Sequence, residues 1–323
     1  MLQKKHALII GVVGIILLLG FVSVSLSAEI DAAPYLRMGA GARALGMGGA
    51  FTAVADDATS IVLNPAGLSN IDSDCSFTLY TAKMDFDRKH NFLGITKNLK
   101  SAGAVGFAWT NAGVDDIRYY DNTGEEHSDK RFSSADHMFA LSYGYGLPDV
   151  SSSGLSELRF GASLKFIKSG FNFEGAEGTT GFGGIDIGVL GHAFENTVSC
   201  GLAIENLGGK VGDGTIPMVL DVGVAFKLLK NHEAMLALDL EHEIIDLPES
   251  TTGIRLGVEY WLRNVLAIRA GGKHTGDRRS LFGGFGVRVA GLQLDYAFKP
   301  TDDTIYQLDG SSHFVSLSYA YYK

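Results

Sequence analysis

The chain has 323 residues, enough for one large domain or two ordinary ones. Its formal charge of −9 argues against a nucleic-acid partner, since such proteins need basic surface to meet phosphates. The 42 Gly, 19 Phe and 12 Tyr, with only 6 Pro, favour a protein made of long strands and turns.

The N-terminus has the layout of a secretory signal peptide. Two lysines and a histidine form a basic start, and an uncharged apolar stretch follows from Ala7 to Leu26. Cleavage is expected near Ser27 or Ala28, so residues 1–28 are assigned to the signal peptide. A retained membrane anchor is the alternative, because the apolar run is about long enough to span a bilayer.

Residues 29–72 are dense in Gly and Ala and show no β alternation. Several glycines in this segment permit close backbone packing and positive φ, namely Gly41, Gly46, Gly48 and Gly49. The segment therefore predicts small helices and turns that fold to fill space. The natural space is the interior of a barrel, where the segment would form an N-terminal hatch.

Two helix starts are predicted inside this segment. Asp56 or Asp57 can cap a short helix from Ala58, because a carboxylate accepts the orphan backbone N–H groups there. Asn64 and Pro65 mark a second start, with Asn as the cap and Pro in the first helical position. The paired aspartates could also bind a cation, but capping is the favoured interpretation.

A nucleotide-binding loop is an alternative for the same region. Gly39, Gly41 and Ala44 match the pattern G-x-G-x-x-A. That pattern is meaningful only between a hydrophobic strand and a helix of a βαβ unit, and neither context is present here. The match therefore does not support nucleotide binding.

From residue 73 to 323 the sequence alternates between apolar and polar residues. In "GIRLGVEY", Gly253 to Tyr260, the apolar side chains share one face and the Gly, Arg and Glu residues share the other. About fourteen such segments begin near residues 75, 88, 102, 135, 157, 180, 197, 217, 233, 251, 264, 279, 291 and 312. An even number of strands of roughly ten residues is typical of outer-membrane barrels. The predicted fold is all-β, a transmembrane antiparallel β-barrel of about 14 strands.

A soluble β-sandwich or soluble barrel is the competing architecture, with the apolar face turned inward. The polar face here is built of small residues with scattered charges of both signs, which fits a wet or plugged lumen. These charges are Asp186, Asp221, Lys227, Asp239, Glu241, Arg255, Glu259, Arg269, Arg288 and Asp295. The pattern therefore favours lipid outside and polar groups inside.

Two polar stretches are predicted as loops, Asp115 to Ser134 and Phe171 to Gly181. The first is acidic but lacks the ligand spacing of a calcium loop, so a solvated loop is expected. The last strand alternates and ends in tyrosines, which resembles the terminal signal of outer-membrane proteins. The final Lys323 departs from a terminal aromatic residue.

The stretch "GARALGMGGAFTAVADDATSIVLNPAGLS" resembles the N-terminal signature of the PorV/PorQ group of outer-membrane proteins, which are similar to FadL-type transporters. The matching positions are Arg43, Gly46, Met47, Gly48, Gly49, Ala50, Ala55, Asp56, Asp57, Asn64, Pro65, Ala66, Gly67 and Leu68. Later pieces such as "IPMVLDVGVAFK" and "LDYAF" extend the resemblance along the chain. It implies a fourteen-stranded barrel whose lumen is plugged by the Asn-Pro-Ala segment. The plug residues it implies are Arg43, Gly46, Gly48, Gly49, Asp56, Asp57, Asn64, Pro65 and Gly67.

The resemblance implies two functions. PorV-like proteins serve type IX secretion and carry secreted proteins by their C-terminal sorting domains, and this export role is the leading hypothesis. FadL-like proteins pass hydrophobic small molecules across the outer membrane, and a purely structural outer-membrane protein is a third possibility. All three place the chain in the outer membrane of a Gram-negative type of cell, in contact with lipid.

No pattern of catalytic residues is present, so an enzyme, a cofactor and a metal are not expected. G-x-S-x-G, H-E-x-x-H and P-loop motifs are missing from the sequence. His242 lies between Glu241 and Glu243, but neighbouring strand residues point to opposite faces and so cannot converge on one metal. Cys75 and Cys200 lack metal-site spacing, and two unpaired thiols are favoured over a disulfide.

Overall fold

The computed structural model describes residues 32–84, 87–121, 123–148, 155–172, 178–229, 233–244, 251–276, 278–300 and 310–323. The predicted signal peptide, residues 1–28, lies outside these ranges. No helix within them is both long and apolar enough to cross a membrane.

Fourteen long strands form the wall, and two very short strands form a side hairpin on one of them. In chain order the strands are β1 Cys75–Lys83, β2 Arg88–Asn98, β3 Ala104–Tyr120, β4 Glu126–Pro148, β5 Leu155–Phe171, β6 Thr179–Ala193, β7 Val198–Leu207, β8 Lys210–Val211, β9 Gly214–Thr215, β10 Met218–Leu228, β11 Ala234–Ile244, β12 Thr251–Leu262, β13 Leu266–Thr275, β14 Arg278–Val289, β15 Leu292–Lys299 and β16 Ser312–Tyr321. The hairpin of β8 and β9 attaches to β6. All but one of the wall strands begin within two residues of the predicted start.

The wall is a closed antiparallel barrel. Each wall strand pairs with its neighbours in sequence, β7 pairs directly with β10, and β1 pairs with β16 to close the ring. Closure brings Cys75 opposite Tyr321, so the first strand begins where the last one ends. This confirms the predicted fold class, because a closed barrel leaves no unpaired strand edge.

The two ends of the barrel differ. At the turn end, where β1 begins and β16 ends, short connections join β2 to β3, β6 to β7, β12 to β13 and β14 to β15. At the opposite, loop end, the long strands β3 and β4 form a hairpin, and the β8–β9 hairpin lies nearby. Short turns at one end and longer segments at the other are typical of outer-membrane barrels.

The predicted loop from Asp115 to Ser134 is mostly strand, so that prediction was wrong. β3 continues to Tyr120 and β4 begins at Glu126, nine residues before its predicted start. Arg118 and Arg131 both pair with Glu126, at 3.5 Å and 3.2 Å. The described side chains of the β3–β4 hairpin beyond the barrel are exposed or half-buried on both faces, so the hairpin gains nothing from apolar alternation. The second predicted loop is also shorter than expected, because β5 runs to Phe171 and β6 begins at Thr179.

The wall presents apolar side chains outward and polar side chains inward. Leu141 and Ile268 on the outer face are 57% and 60% exposed, whereas Asp186 and Asp239 on the inner face are fully buried. A soluble protein has the reverse arrangement, because it buries most of its large apolar side chains away from water. The predicted orientation of the two faces is confirmed, and a soluble sandwich is excluded by the closed ring.

Residues 32–74, here called the lumen segment, pack against the inner face of the wall. They contain a 3₁₀ helix Pro34–Met38, two α-helices Ala42–Gly46 and Ser60–Leu63, and a second 3₁₀ helix Pro65–Asn70. Most of their side chains are buried, including Met47, Phe51 and Ile61. The segment thus supplies the packed core that a barrel wall of this kind cannot supply alone.

Wall glycines make this packing possible. A Cβ atom added at Gly161 would lie 2.1 Å from the Pro65 carbonyl carbon, and one at Gly271 would lie 2.2 Å from the Gly48 amide nitrogen. At Gly201 the added atom would lie 2.2 Å from the Thr52 carbonyl oxygen. The abundance of glycine therefore reflects more than turns, because the lumen segment's backbone rests directly on glycines of the strands.

This contact predicts that Gly161→Ala destabilises the folded barrel. The added methyl group would overlap the Pro65 backbone, and overpacking of this kind costs about 1–3 kcal/mol. Gly283→Ala is the matched control, since nothing lies within 4 Å of a Cβ atom at that strand position. The measurement is the denaturant midpoint of the detergent-folded barrel. Equal midpoints for the two variants would show that the lumen segment does not rest on Gly161.

Candidate functional site

Arg43 is the main link between the lumen segment and the wall. It lies in the helix Ala42–Gly46, whose first amide, that of Ala42, donates to Ser316 Oγ of β16 at 2.7 Å. Arg43 Nε and Nη2 donate to the two carboxylate oxygens of Glu259 on β12, each at 2.9 Å. This bidentate pair fixes both the position and the orientation of the helix, because a guanidinium matches a carboxylate in only a few geometries.

The same guanidinium also holds a second turn of the lumen segment. Arg43 Nη1 pairs with Asp56, and the same nitrogen lies 3.5 Å from Asp57 Oδ2. On the wall side, Glu259 also accepts from Arg269 Nε at 2.7 Å. Arg269 Nη1 in turn donates to Asp295 Oδ1 at 2.8 Å. These six side chains, Arg43, Asp56, Asp57, Glu259, Arg269 and Asp295, are here called the Arg43 network.

The electrostatics of the lumen segment follow from this network. Burial alone would lower the pKa of Arg43, but the carboxylates of Asp56 and Glu259 raise it well above its ordinary value. Burial raises the pKa of Asp57, while the charge of Arg43 opposes the rise. Arg43 therefore stays charged at every accessible pH and provides a permanent cation between carboxylates.

A second set of wall charges holds the turn that follows the glycines. Asp239 on β11 accepts hydrogen bonds from the amides of Phe51 and Thr52, at 2.8 Å and 2.9 Å. Arg255 on β12 pairs with Asp221 and donates to the Gly49 carbonyl oxygen at 3.3 Å. The inward charges predicted from the alternation thus act mainly as partners for the lumen segment and for one another.

Asn64 ties the centre of the lumen segment together. Its Oδ1 accepts from the Ala66 amide at 3.2 Å, which confirms that Asn64 caps the turn beginning at Pro65. Its Nδ2 donates to the carbonyl oxygens of Thr52 at 2.8 Å and Val189 at 3.3 Å. The helix that Asn64 caps is a 3₁₀ helix. Through its other bonds, the Asn64 side chain also links this helix to the turn at Thr52 and to strand β6.

The predicted capping role of Asp56 and Asp57 is only partly correct. The helix begins at Ser60 rather than at Ala58, and its N-cap residue makes no side-chain capping bond. Asp57 Oδ1 accepts from the Thr59 amide at 2.9 Å, just before the helix. Asp56 pairs with Arg43 instead. The demand of a buried guanidinium for carboxylate partners outweighs helix capping here.

The glycines of the predicted plug motif lie at close contacts, in agreement with their expected use. A Cβ atom at Gly48, which has φ of 67°, would lie 2.6 Å from the Gly272 amide nitrogen. One at Gly67 would lie 2.5 Å from the Ala55 carbonyl oxygen, and one at Gly49 would lie 3.1 Å from Arg255. Gly46 faces Arg269 and Ala297 more loosely, at 3.5 Å and 3.6 Å.

Two cavities flank the lumen segment and share no lining residue. The turn-end cavity, of about 320 Å³, is polar and is lined by Arg43, Asp56, Asp57, Arg288, Gln293 and Ser318 among others. The loop-end cavity, of about 60 Å³, is lined by Tyr35, Leu36, Ala40, His90, Met138 and Glu205 among others. Sequence reasoning missed Tyr35 and His90, because neither belongs to a motif or to a charge pattern.

The structure gives no indication of metal chemistry in its described ranges. No group of three or more His, Cys, Asp or Glu side chains there could hold a metal ion. His242 Nδ1 lies 3.0 Å from Thr252 Oγ1 on the neighbouring strand. Cys75 and Cys200 are free thiols on β1 and β7.

The fold is shared with outer-membrane transporters of known structure. No protein-family model matches the sequence, and no curated protein matches it. The Pseudomonas putida toluene transporter TodX is 14% identical over 91% of this chain and 98% of its own, with a TM-score of 0.64. The Ralstonia pickettii toluene transporter TbuX is 12% identical over 88% and 99%, with a TM-score of 0.63. A Pseudomonas aeruginosa FadL homologue is 11% identical over 91% and 100%, with a TM-score of 0.56.

At these identities the likeness concerns the fold alone. The chain shares the barrel architecture of those three proteins and covers nearly their full length. None of these three structures is a PorV or PorQ protein, so the finer resemblance read from the hatch motif gains no support from them.

The Arg43 network predicts a strong effect for Arg43→Met. The substitution keeps much of the side chain's length but leaves Asp56, Asp57 and Glu259 with one cation fewer. Removing one partner of a buried ion pair costs about 3–5 kcal/mol. Arg43→Lys should recover only part of this, because an ammonium cannot form the bidentate contact.

The measurement is again the denaturant midpoint of the folded barrel. Arg279→Met on β14 is the matched control, because Arg279 is exposed and an exposed charge changes stability by less than about 1 kcal/mol. If Arg43→Met and Arg279→Met unfold at the same denaturant concentration, the Arg43 network does not hold the lumen segment in place.

Proposed function

We propose that the chain is an outer-membrane channel for small hydrophobic molecules, with the lumen segment as its hatch. One observation carries this proposal. The lumen segment is held by ion pairs inside a fourteen-stranded barrel, and that barrel has the fold of the toluene transporters. The FadL-like alternative drawn from the sequence is thereby favoured over the export role.

The outer surface supports a location in a lipid bilayer. Every wall strand carries at least one exposed large apolar side chain, and the tyrosines at the turn end are exposed as well, namely Tyr143, Tyr319, Tyr321 and Tyr322. Tyrosine is enriched where a membrane meets water, because its ring is apolar and its hydroxyl is polar. In this orientation the turn end faces the periplasm and the loop end faces the outside of the cell.

The path of the lumen segment supports removal of the signal peptide. The Ala32 amide donates to the Thr215 carbonyl oxygen of β9 at 3.1 Å, so the chain enters the barrel from the loop end. An uncut N-terminal anchor in the inner membrane would lie on the other side of a filled lumen. Cleavage near Ser27 or Ala28 avoids that conflict.

The plug motif is proposed to close the lumen. Arg43, Asp56 and Asp57 border the turn-end cavity, Asn64 bonds to strand β6, and Gly46, Gly48 and Gly49 bring the segment's backbone close to the wall. Polar solutes would therefore meet a packed segment rather than an open pore. A channel that stays closed to ions while admitting an apolar ligand needs such a barrier.

Transport is tested by uptake of toluene into cells that express the chain and lack other channels of this fold. The initial uptake rate of labelled toluene should rise severalfold over that of cells with an empty vector, while uptake of a sugar of similar size should not change. An unchanged toluene rate with correctly folded barrel in the outer membrane would remove the channel proposal and leave a structural role.

The export role has a separate signature. Extraction of the native protein in mild detergent, followed by mass spectrometry, should find a small apolar molecule bound to the barrel. Large exported proteins that share a C-terminal sorting domain would instead favour the PorV/PorQ interpretation and would contradict the channel.

The hatch itself is tested by electrical conductance. Replacing Asn64 and Pro65 together with alanine removes the amide bonds to Thr52 and Val189, so ion conductance in a planar bilayer should rise. Asn91→Ala is the matched control, because Asn91 bonds to Thr81 and Asn111 on the other face of the wall. Flat conductance in a folded double variant would show that these residues do not close the lumen.

A further inference from the structure

The loop-end cavity contains two buried polar atoms without a partner. Tyr35 of the lumen segment and His90 of β2 both line it, and they are only 5% and 2% exposed. The Tyr35 hydroxyl and His90 Nδ1 have no hydrogen-bond partner. An unmade hydrogen bond of a buried group costs about 1–3 kcal/mol, so each of these two atoms in the lining of one cavity calls for an explanation.

One part of the cavity lining is apolar and suits the body of an apolar ligand. Leu36, Ala40, Val62, Met138 and Val219 form this part, whereas charged side chains such as Arg37, Glu205 and Arg255 line the rest. The volume of about 60 Å³ holds only a few water molecules in the closed state. A ligand the size of a benzene ring must therefore displace part of the lining.

The lining that can move is the first turn of the lumen segment. The 3₁₀ helix Pro34–Met38 is flanked by residues with positive φ, Ala33 at 51° and Gly39 at 72°. At the barrel mouth, Arg37 pairs with Glu243. The turn lies before the Arg43 network, so its displacement leaves Arg43 and Glu259 paired.

The charges around the cavity exclude a carboxylate ligand. Arg255 already pairs with Asp221 and Glu241, and Arg37 already pairs with Glu243. Glu205 adds a further acidic side chain to the lining. An anionic head group would meet carboxylates with no cation to spare, whereas a neutral hydroxyl needs only a donor and an acceptor.

The Tyr35 hydroxyl is suited to donate a hydrogen bond to the ligand. Burial first, and the carboxylate of Asp136 second, raise the pKa of Tyr35 above its ordinary value, so its hydroxyl remains protonated. A histidine ring nitrogen can accept or donate according to its tautomer, and the hydroxyl of a ligand can do both as well.

We propose that this cavity is a binding site for small aromatic molecules that prefers those with one hydroxyl group, so that it binds phenols more tightly than bare hydrocarbons and excludes carboxylates such as fatty acids. The ligand ring takes the place of the Leu36 side chain beside Met138 and Val62, and the Tyr35 side chain stays next to the ligand. The ligand hydroxyl supplies the partner that the Tyr35 hydroxyl and His90 Nδ1 lack. This inference rests on the proposed channel function and names the substrate class of that channel.

Binding of three matched compounds to the purified full-length barrel tests the proposal, with calorimetry in detergent as the measurement. 4-Methylphenol should bind about tenfold more tightly than toluene, the effect of one hydrogen bond of ordinary strength. 4-Methylbenzoate should bind more weakly than either compound.

Two variants locate the effect. Tyr35→Phe should weaken binding of 4-methylphenol by about tenfold while toluene binds as before. His90→Leu should do the same, which keeps the test available if one variant fails to fold. Tyr143→Phe is the matched control, because the Tyr143 hydroxyl bonds to the Ala102 carbonyl oxygen on the outside of the barrel.

The outcomes separate this inference from the function on which it rests. Equal affinity for 4-methylphenol and toluene, or a preference that survives both variants, overturns the phenol site and leaves the channel proposal standing. Binding of none of the three compounds by the folded wild-type barrel overturns both.

Discussion

The bidentate ion pair between Arg43 and Glu259 is the contact on which the arrangement of the lumen depends. A charge inside a narrow barrel loses much of its hydration, so each inward carboxylate or guanidinium needs a partner within reach. Arg43 meets this need for one wall carboxylate and for two carboxylates of the lumen segment at once. Without the lumen segment, Glu259 of the wall would lose one of its cationic partners, and without the wall, Arg43 would lose its bidentate carboxylate partner.

Direct backbone contact provides the close packing that ion pairs alone do not. Ion pairs fix where the segment lies, but they leave gaps unless the surfaces also meet closely. Inward glycines such as Gly161 and Gly271 allow the two backbones to touch without intervening side chains. The inner face of the wall thus carries two kinds of residue. Charged residues fix where the lumen segment lies, and glycines leave room for its backbone.

The sequence predicted the barrel well because strand structure and membrane exposure both leave a period of two. Strand starts, the closed ring and the inward direction of Asp239, Arg255 and Glu259 follow from that pattern. The pairing partners do not, because Arg43 and Glu259 are 216 residues apart and only the three-dimensional ring brings them together. The β3–β4 hairpin was mistaken for a loop because solvent surrounds it, so its strands carry no alternation.

The lumen segment has two parts that differ in how firmly they are held. From Gly41 to Asn70 it is joined to the wall by Arg43, Asp239, Arg255 and Asn64, and movement there would separate buried charges from their partners. Before Gly41, the turn at Tyr35 has few such bonds and leaves two polar groups unpaired. In the proposed channel, admission of a ligand at the loop end would begin with this first turn, because its ion pair of Arg37 with Glu243 is partly exposed at the barrel mouth. Passage beyond it would require rearrangement of the firmly held part, so the Arg43 network would be the barrier between binding and transfer.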